Sequence, residues 1–231
     1  MPTGTGKTVT LLAFLVAYTE QYRRQERVEM MHEKRTVVYC TRTVQEIDQV
    51  VQELSHVQAM RQSKGRNERF LGVCLSTRAN LCINPEVNKE RPDKQKVDAL
   101  CRARTAPWVR QQRSDGEDVP FCEFYENMDK VDALCTSLNG VFSLEAIVDV
   151  GKREGVCPYF LARRLLAHAD LIIYNYQYLL NPRIASLVSS ELRDNSIVVF
   201  DEAHNIDNIC IEAMSVRINR RVIRSASAQI E

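Results

Sequence analysis

The chain has 231 residues, 45% of them hydrophobic and 26% charged, with a formal net charge of +1 at pH 7. This is the balance of a folded domain, so disorder throughout is excluded, and so small a net charge does not by itself point to nucleic acid or an anionic surface. The longest apolar run, residues 11–18, is too short to span a bilayer, and neither a signal peptide nor a membrane contact is expected.

Residues 1–8, M-P-T-G-T-G-K-T, read as the end of a phosphate-binding loop, with Met1 where the usual first glycine stands. Thr3, Gly4, Thr5 and Gly6 would wind the backbone close around a polyphosphate, N–H groups inward, where side chains at the glycines would obstruct it. Lys7 offers a point charge to the β and γ phosphates and Thr8 a hydroxyl to Mg2+. The apolar run that follows predicts a helix over 7–24 whose positive end faces the phosphates.

After a polar connection, T-V-V-Y-C at 36–40 reads as a buried parallel strand, and Val44, Ile47, Val50, Val51 and Leu54 mark a helix over 43–54 that Thr43 can cap. A further strand is expected over 70–75. From residue 78 to about 157 the alternation breaks, with Pro85, Pro92, Pro107 and Pro120 scattered among charges, and this stretch reads as an insertion. Its one long helical candidate is 143–153, with Ser143 as cap. Order returns from Pro158 with a helix, a strand L-I-I-Y, a helix near 178–192 and a strand I-V-V-F. The pattern implies an open, mostly parallel α/β sheet. A strand normally feeds a phosphate loop and none precedes this one, so the sheet is expected to lack an internal member unless another segment replaces it.

I-V-V-F-D-E-A-H, residues 197–204, puts two carboxylates at the carboxyl end of an apolar strand, where ligands collect in such sheets. Asp201 is placed to hold Mg2+, Glu202 to orient or deprotonate an attacking water, and His204 to relay the state of the γ phosphate.

Eight cysteines without a secretory signal point to reduced intracellular thiols, held either by a metal or in the core. Between Arg61 and Arg113 there are 13 Lys or Arg against 5 Asp or Glu, interleaved with Phe70 and Trp108. Such a stretch is either a solvated basic face or a surface that tracks phosphates.

M-P-T-G-T-G-K-T, V-V-Y-C-T-R-T and V-V-F-D-E-A-H-N resemble motifs I, Ia and II of superfamily 2 helicases. S-T-R-A-N-L-C-I-N-P-E-V, V-P-F-C-E-F-Y-E, C-P-Y-F-L-A-R and D-E-A-H-N-I-D-N-I-C-I narrow the resemblance to the XPD family of iron-sulfur DNA helicases, over residues 1 to about 221. The resemblance implies ATP and Mg2+ at the two nucleotide motifs and a 4Fe-4S cluster on Cys82, Cys101, Cys122 and Cys157. It further implies a single DNA strand along Arg42, Arg78, Tyr159 and Arg163, with translocation from 5' to 3', nuclear residence, and partnership with the subunits of the transcription and repair factor IIH. Cys40, Cys74, Cys135 and Cys210 are left as core or incidental thiols.

On this reading residues 1–77 and 158–220 are two parts of an incomplete RecA-like motor domain, 78–157 is a loop-rich helical iron-sulfur insertion, and 221–231 begin an arch region. The family's second motor domain, with the arginine that completes the ATP site, has no counterpart here, so the isolated chain is expected to be close to inactive. Two rival readings stay open: a non-catalytic module binding DNA or a protein through the cluster region, and an unrelated phosphate-loop NTPase with a zinc insert.

Overall fold

A computed structural model describes residues 6–29, 35–88, 93–182, 184, 185, 195–215, 220 and 227. The expected helix after the loop is α1 (Lys7–Glu29), with Leu12, Leu15 and Val16 buried against the sheet. Strand β1 (Val37–Thr41) is buried at every position, as its β-branched run requires of an interior strand. Helix α2 (Val44–Ser63) runs nine residues past the expected end. Its start is fixed by a capping box, in which Thr43 accepts from the Glu46 backbone N–H and Glu46 reaches back to the Thr43 N–H.

Beyond β2 (Leu71–Cys74) come α3 (Arg78–Leu81), α4 (Lys94–Thr105), α5 (Pro107–Ser114), α6 (Glu123–Glu126) and α7 (Val131–Ser137). Then follow β3 (Gly140–Phe142), α8 (Leu144–Glu154), α9 (Pro158–Leu166), β4 (Leu171–Asn175), α10 (Gln177–Leu180), β5 (Ile197–Phe200) and α11 (Ile206–Met214). The helix expected near 178–192 is seen as α10, and 186–194 lie outside the described residues.

All five strands are parallel, in the order β3-β2-β4-β1-β5. The sheet has no interior gap: β1 pairs on one side with β4, Val37 against Leu171, and on the other with β5, Val37 against Ile197. The described strands thus pair without a break, and the acidic strand is an edge of the described sheet, with one partner, β1. A parallel sheet covered by helices is the α/β arrangement that the alternation predicted.

The segment read as one insertion divides in two. Residues 131–157 join the main core: Val131, Cys135, Ile147 and Val156 are fully buried, and β3 extends the sheet beside β2. Among the described residues of 78–122 only Leu81 belongs to the main core, and Val87, Val97 and Cys101 form a satellite cluster. Sequence pattern missed α4 and β3 because α4 is largely polar and β3 has three residues, too few to show a period.

Helix α8 begins at Ser143, whose hydroxyl accepts from the Ala146 N–H, and ends at Gly155 in the left-handed conformation, φ 66°. Where it crosses α9, a Cβ on Gly151 would stand 2.5 Å from Pro158 Cγ and 2.9 Å from the Val156 carbonyl oxygen. That close approach sets the position of Cys157. Gly151→Ala is expected to destabilise the chain by about 1–3 kcal/mol through overpacking, despite the better helix propensity of alanine. An unchanged urea midpoint would show that the two helices can separate at little cost.

The sheet also buries two thiols. Desolvation pushes Cys40 and Cys74 up to about 12, with the charge of Asp48 adding to the effect at Cys74, whose thiol also donates to the Phe142 carbonyl at 3.2 Å. A thiol raised in this way contributes stability that is complete below the unfolded value of about 8.5 and is lost as the pH climbs toward about 12. Urea midpoints at pH 7 and pH 10 should therefore differ less in a Cys40→Ala, Cys74→Ala double variant than in the parent. Equal drops would exclude the two thiols as a cause.

Candidate nucleotide and nucleic-acid sites

Thr3, Gly4 and Thr5 lie outside the described residues, and description of the loop begins at Gly6. Gly6 has φ 72°, and its carbonyl accepts from both the backbone N–H (3.0 Å) and the hydroxyl (2.9 Å) of Thr10, which closes the first turn of α1. Lys7, the first residue of the helix, is exposed, and Thr8 behind it is half-buried.

At the other motif, the Asp201 N–H donates to the Cys40 carbonyl at 3.0 Å, carrying the β1–β5 pairing one residue beyond the strand. The chain then turns at Glu202, which has φ 50° and ψ 47° and is the one non-glycine residue with positive φ among those described. A left-handed glutamate is disfavoured and persists only where its neighbours hold it. His204 Nδ1 stands 3.4 Å from Glu202 Oε2.

Tyr39 joins the two motifs. It is fully buried in the middle of β1, and its hydroxyl donates to Asp201 Oδ2 at 2.9 Å, while the Thr8 side chain is the other hydrogen-bonding neighbour of that hydroxyl. Burial first, and then the charge of Asp201, drive the Tyr39 pKa far above its ordinary value, so it stays a donor at every ordinary pH. Tyr176, fully buried and stacked edge-on against Phe200 at 5.6 Å, is pushed up to about 12, mainly by desolvation and then by Asp201. The sequence reading missed Tyr39. The available signal was a residue with a polar tip inside a strand otherwise made of apolar and β-branched residues, because a buried tyrosine needs a partner for its hydroxyl.

Cys82, Cys101, Cys122 and Cys157 come from four elements: the end of α3, the interior of α4, the residue before α6 and the residue before α9. They are electrostatic neighbours. Cys82 feels Cys101 and Cys122, and Cys157 feels Cys122 and Cys101. Desolvation raises the Cys82 and Cys101 pKa values and pushes Cys157 up to about 12, with the Phe160 and Tyr159 backbone N–H groups working against it. Among the described residues no three His, Cys, Asp or Glu side chains meet closely enough to hold a single ion. Cys135, by contrast, is part of the main core, and its electrostatic neighbours are Asp132, Arg164 and Arg69.

The four residues expected along DNA fall in two places. Arg42 is exposed at the end of β1, with Nη1 donating to Asn205 Oδ1 at 3.2 Å. Arg78 lies over the Tyr159 ring at 4.4 Å and 3.6 Å from Asp98, so one face of that largely buried ring is already covered. Tyr159 meets Phe160 edge-on at 5.2 Å, and Phe160 meets Tyr125 at 4.6 Å. Arg163 lines a cavity of about 350 Å3 with Arg110, Arg164, Tyr125 and Phe160. The sequence reading did not single out these last two aromatics.

The basic stretch is partly neutralised by carboxylates, some of them from outside it. Arg61 and Arg66 pair with Glu20, Arg104 with Glu86, and Arg110 and Arg113 with Glu126. Of its interleaved aromatics, Phe70 is core and Trp108 is exposed.

Parallel sheet, loop-to-helix turn and acidic strand end together define the class, a RecA-like α/β domain. Residues 39–223 match the DEAD_2 profile, and the chain belongs to that family. It is 46% identical over 231 residues to the "General transcription and DNA repair factor IIH helicase subunit XPD" of Schizosaccharomyces pombe, covering 100% of this chain and 29% of that protein. The Arabidopsis thaliana protein of the same name is 42% identical over 232 residues, with 100% and 29% covered. The Saccharomyces cerevisiae "helicase subunit XPD/RAD3" is 40% identical over 230 residues, with 98% and 28% covered. A solved "XPD_Helicase" structure shares the fold, with a TM-score of 0.50 at 18% identity over 90% of this chain and 29% of that one. The resemblance to the XPD family is thus borne out, and the chain spans less than a third of the length of these relatives.

Tyr39→Phe removes the Asp201 donor while keeping the ring. It is expected to lower stability by about 1.5–3 kcal/mol, the range for a hydrogen bond to a charged group, and to raise the Mg2+ concentration needed for nucleotide binding. A fluorescent ATP analogue titrated at several Mg2+ concentrations reads the second effect. An unchanged Mg2+ requirement would reduce Tyr39 to a packing residue.

Proposed function

We propose that this chain is the nucleotide-binding half of an ATP-dependent DNA helicase motor of the XPD type, coupling ATP hydrolysis to 5'-to-3' movement on single-stranded DNA. The observation that supports this most directly is the approach of Thr8 and Asp201 to one buried hydroxyl, that of Tyr39. In this reading the backbone of Thr3, Gly4, Thr5 and Gly6 cradles the phosphates and Lys7 contacts the β and γ oxygens. Thr8 and Asp201 hold Mg2+, which when bound neutralises charge developing on those oxygens. Glu202 orients the attacking water and accepts its proton, with His204 beside its carboxylate. The remainder of the relatives' length supplies a second motor domain whose arginine completes the site, a contribution of about 10^3 to 10^5 in turnover.

Arg42, Arg78, Tyr159 and Arg163 form the strand path, the guanidinium groups meeting phosphates. Cys82, Cys101, Cys122 and Cys157 hold a 4Fe-4S cluster that staples the region from residue 78 to 122, where little apolar core is present. The relatives' names further support a role in transcription and DNA repair with factor IIH subunits as partners, and such a role places the chain in the nucleus.

Steady-state ATPase assays with and without single-stranded DNA test the reading. The isolated chain should turn over slowly, bind a fluorescent ATP analogue, and lose that binding in Lys7→Ala. A chain that binds no nucleotide, or binds it equally well as Lys7→Ala, would end the proposal. Anaerobically purified protein should be brown and contain iron, and zinc without iron would overturn the cluster assignment.

A further inference from the structure

Beside the glutamate assigned to the attacking water, one side chain touches everything nearby. The Asn205 amide accepts from Arg42 Nη1 at 3.2 Å through Oδ1, and through Nδ2 donates to the Glu202 carbonyl at 3.2 Å, with His204 Nε2 at 3.1 Å. Its backbone N–H also donates to the Glu202 carbonyl, at 3.1 Å. Glu202 is therefore doubly tied to Asn205 at the very residue whose backbone is in the left-handed region. His204 closes the circuit, with Nδ1 3.4 Å from Glu202 Oε2.

The far end of this chain of contacts is anchored as well. The Arg42 N–H donates to Glu46 Oε2 at 2.8 Å, and its carbonyl accepts from the Asn175 amide, so the arginine's backbone is fixed while its guanidinium is in solvent. Its electrostatic situation is unlike that of Arg61, Arg66, Arg104, Arg110 and Arg113, which each have a carboxylate partner. Among the described residues the Arg42 guanidinium meets a neutral amide. A DNA phosphate offers a charge-assisted hydrogen bond roughly twice as strong as a neutral one and would displace that amide.

We infer that Asn205 is the positioning residue through which strand contact at Arg42 is coupled to the placement of Glu202. The inference rests on the nucleotide-site reading above and assigns that site a regulatory input. When a phosphate takes the Arg42 guanidinium, the Asn205 oxygen loses its donor, the amide reorients, and the constraint it places on the Glu202 carbonyl and on His204 changes. Linkage makes the effect mutual: whatever strand binding does to nucleotide affinity, nucleotide does to strand affinity by the same factor.

The test measures the affinity of this chain for a fluorescent oligothymidylate by anisotropy, with and without a non-hydrolysable ATP analogue and Mg2+. The parent, Asn205→Ala and Asn205→Asp are compared, each first shown by thermal melting to be folded. The parent should show a ratio between the two affinities of about fivefold or more, in the ordinary range of coupling. Asn205→Ala should bring the ratio close to one. Asn205→Asp keeps an oxygen for Arg42 and loses the donor to Glu202, so it should also lose the coupling while weakening the strand's hold on the arginine.

A ratio unchanged in both variants would overturn the inference and leave the nucleotide reading standing. So would a parent that binds both ligands with no coupling at all. A parent that binds neither would overturn both.

Discussion

The hydroxyl of Tyr39 is where the two nucleotide motifs of this chain meet. A buried tyrosine must find a partner for its O–H, and a carboxylate at the end of a strand must find a donor. Here each satisfies the other, 162 residues apart in sequence, with Thr8 as a third party. The constraint depends on register. β1 pairs directly with β5, Tyr39 opposite Val199, and the Cys40 carbonyl holds the Asp201 N–H, so the acidic pair emerges at the same level as the end of β1. A slip of one residue would turn Tyr39 to the other face of the sheet and part the two motifs.

From that junction the functional parts follow the sheet's polarity. The loop-to-helix turn, the end of β1 with Arg42, and the turn after β5 gather at one end, as ligand sites do in open parallel sheets. The cysteine-bearing region reaches the sheet through α9, where Pro158 against Gly151 fixes Cys157. Its other three cysteines have little core behind them. A segment so poor in apolar contacts is the part of the molecule most in need of a covalent or metal tie.

Charge is distributed by the same logic of compensation. The basic stretch looked in sequence like an excess of positive charge, yet several of its arginines are paired with carboxylates, two of them with Glu20 and two with Glu126. Arg42 lies outside that stretch, and its guanidinium meets an uncharged amide. Counting charges along a chain therefore overstates the positive charge that part of the stretch presents, because folding brings in carboxylates such as Glu20 and Glu126 from other segments.

Local chemistry determined a good deal without help. The Thr43 capping box, the Ser143 cap, the β-branched strands and the alternation that makes a parallel sheet are all properties of short windows, and the structure repeats them nearly residue for residue. The loop, the acidic tetrad and the four cysteine contexts were likewise visible as words. Only the tertiary structure decided the strand order, the joining of residues 131–157 to the main core, the burial of Tyr159 under Arg78, and the meeting of Arg42 with Asn205. The physical reason is that a hydrogen bond or ring contact between residues far apart in sequence leaves no period and no spacing behind. It exists only once the hydrophobic core has fixed which strands are neighbours.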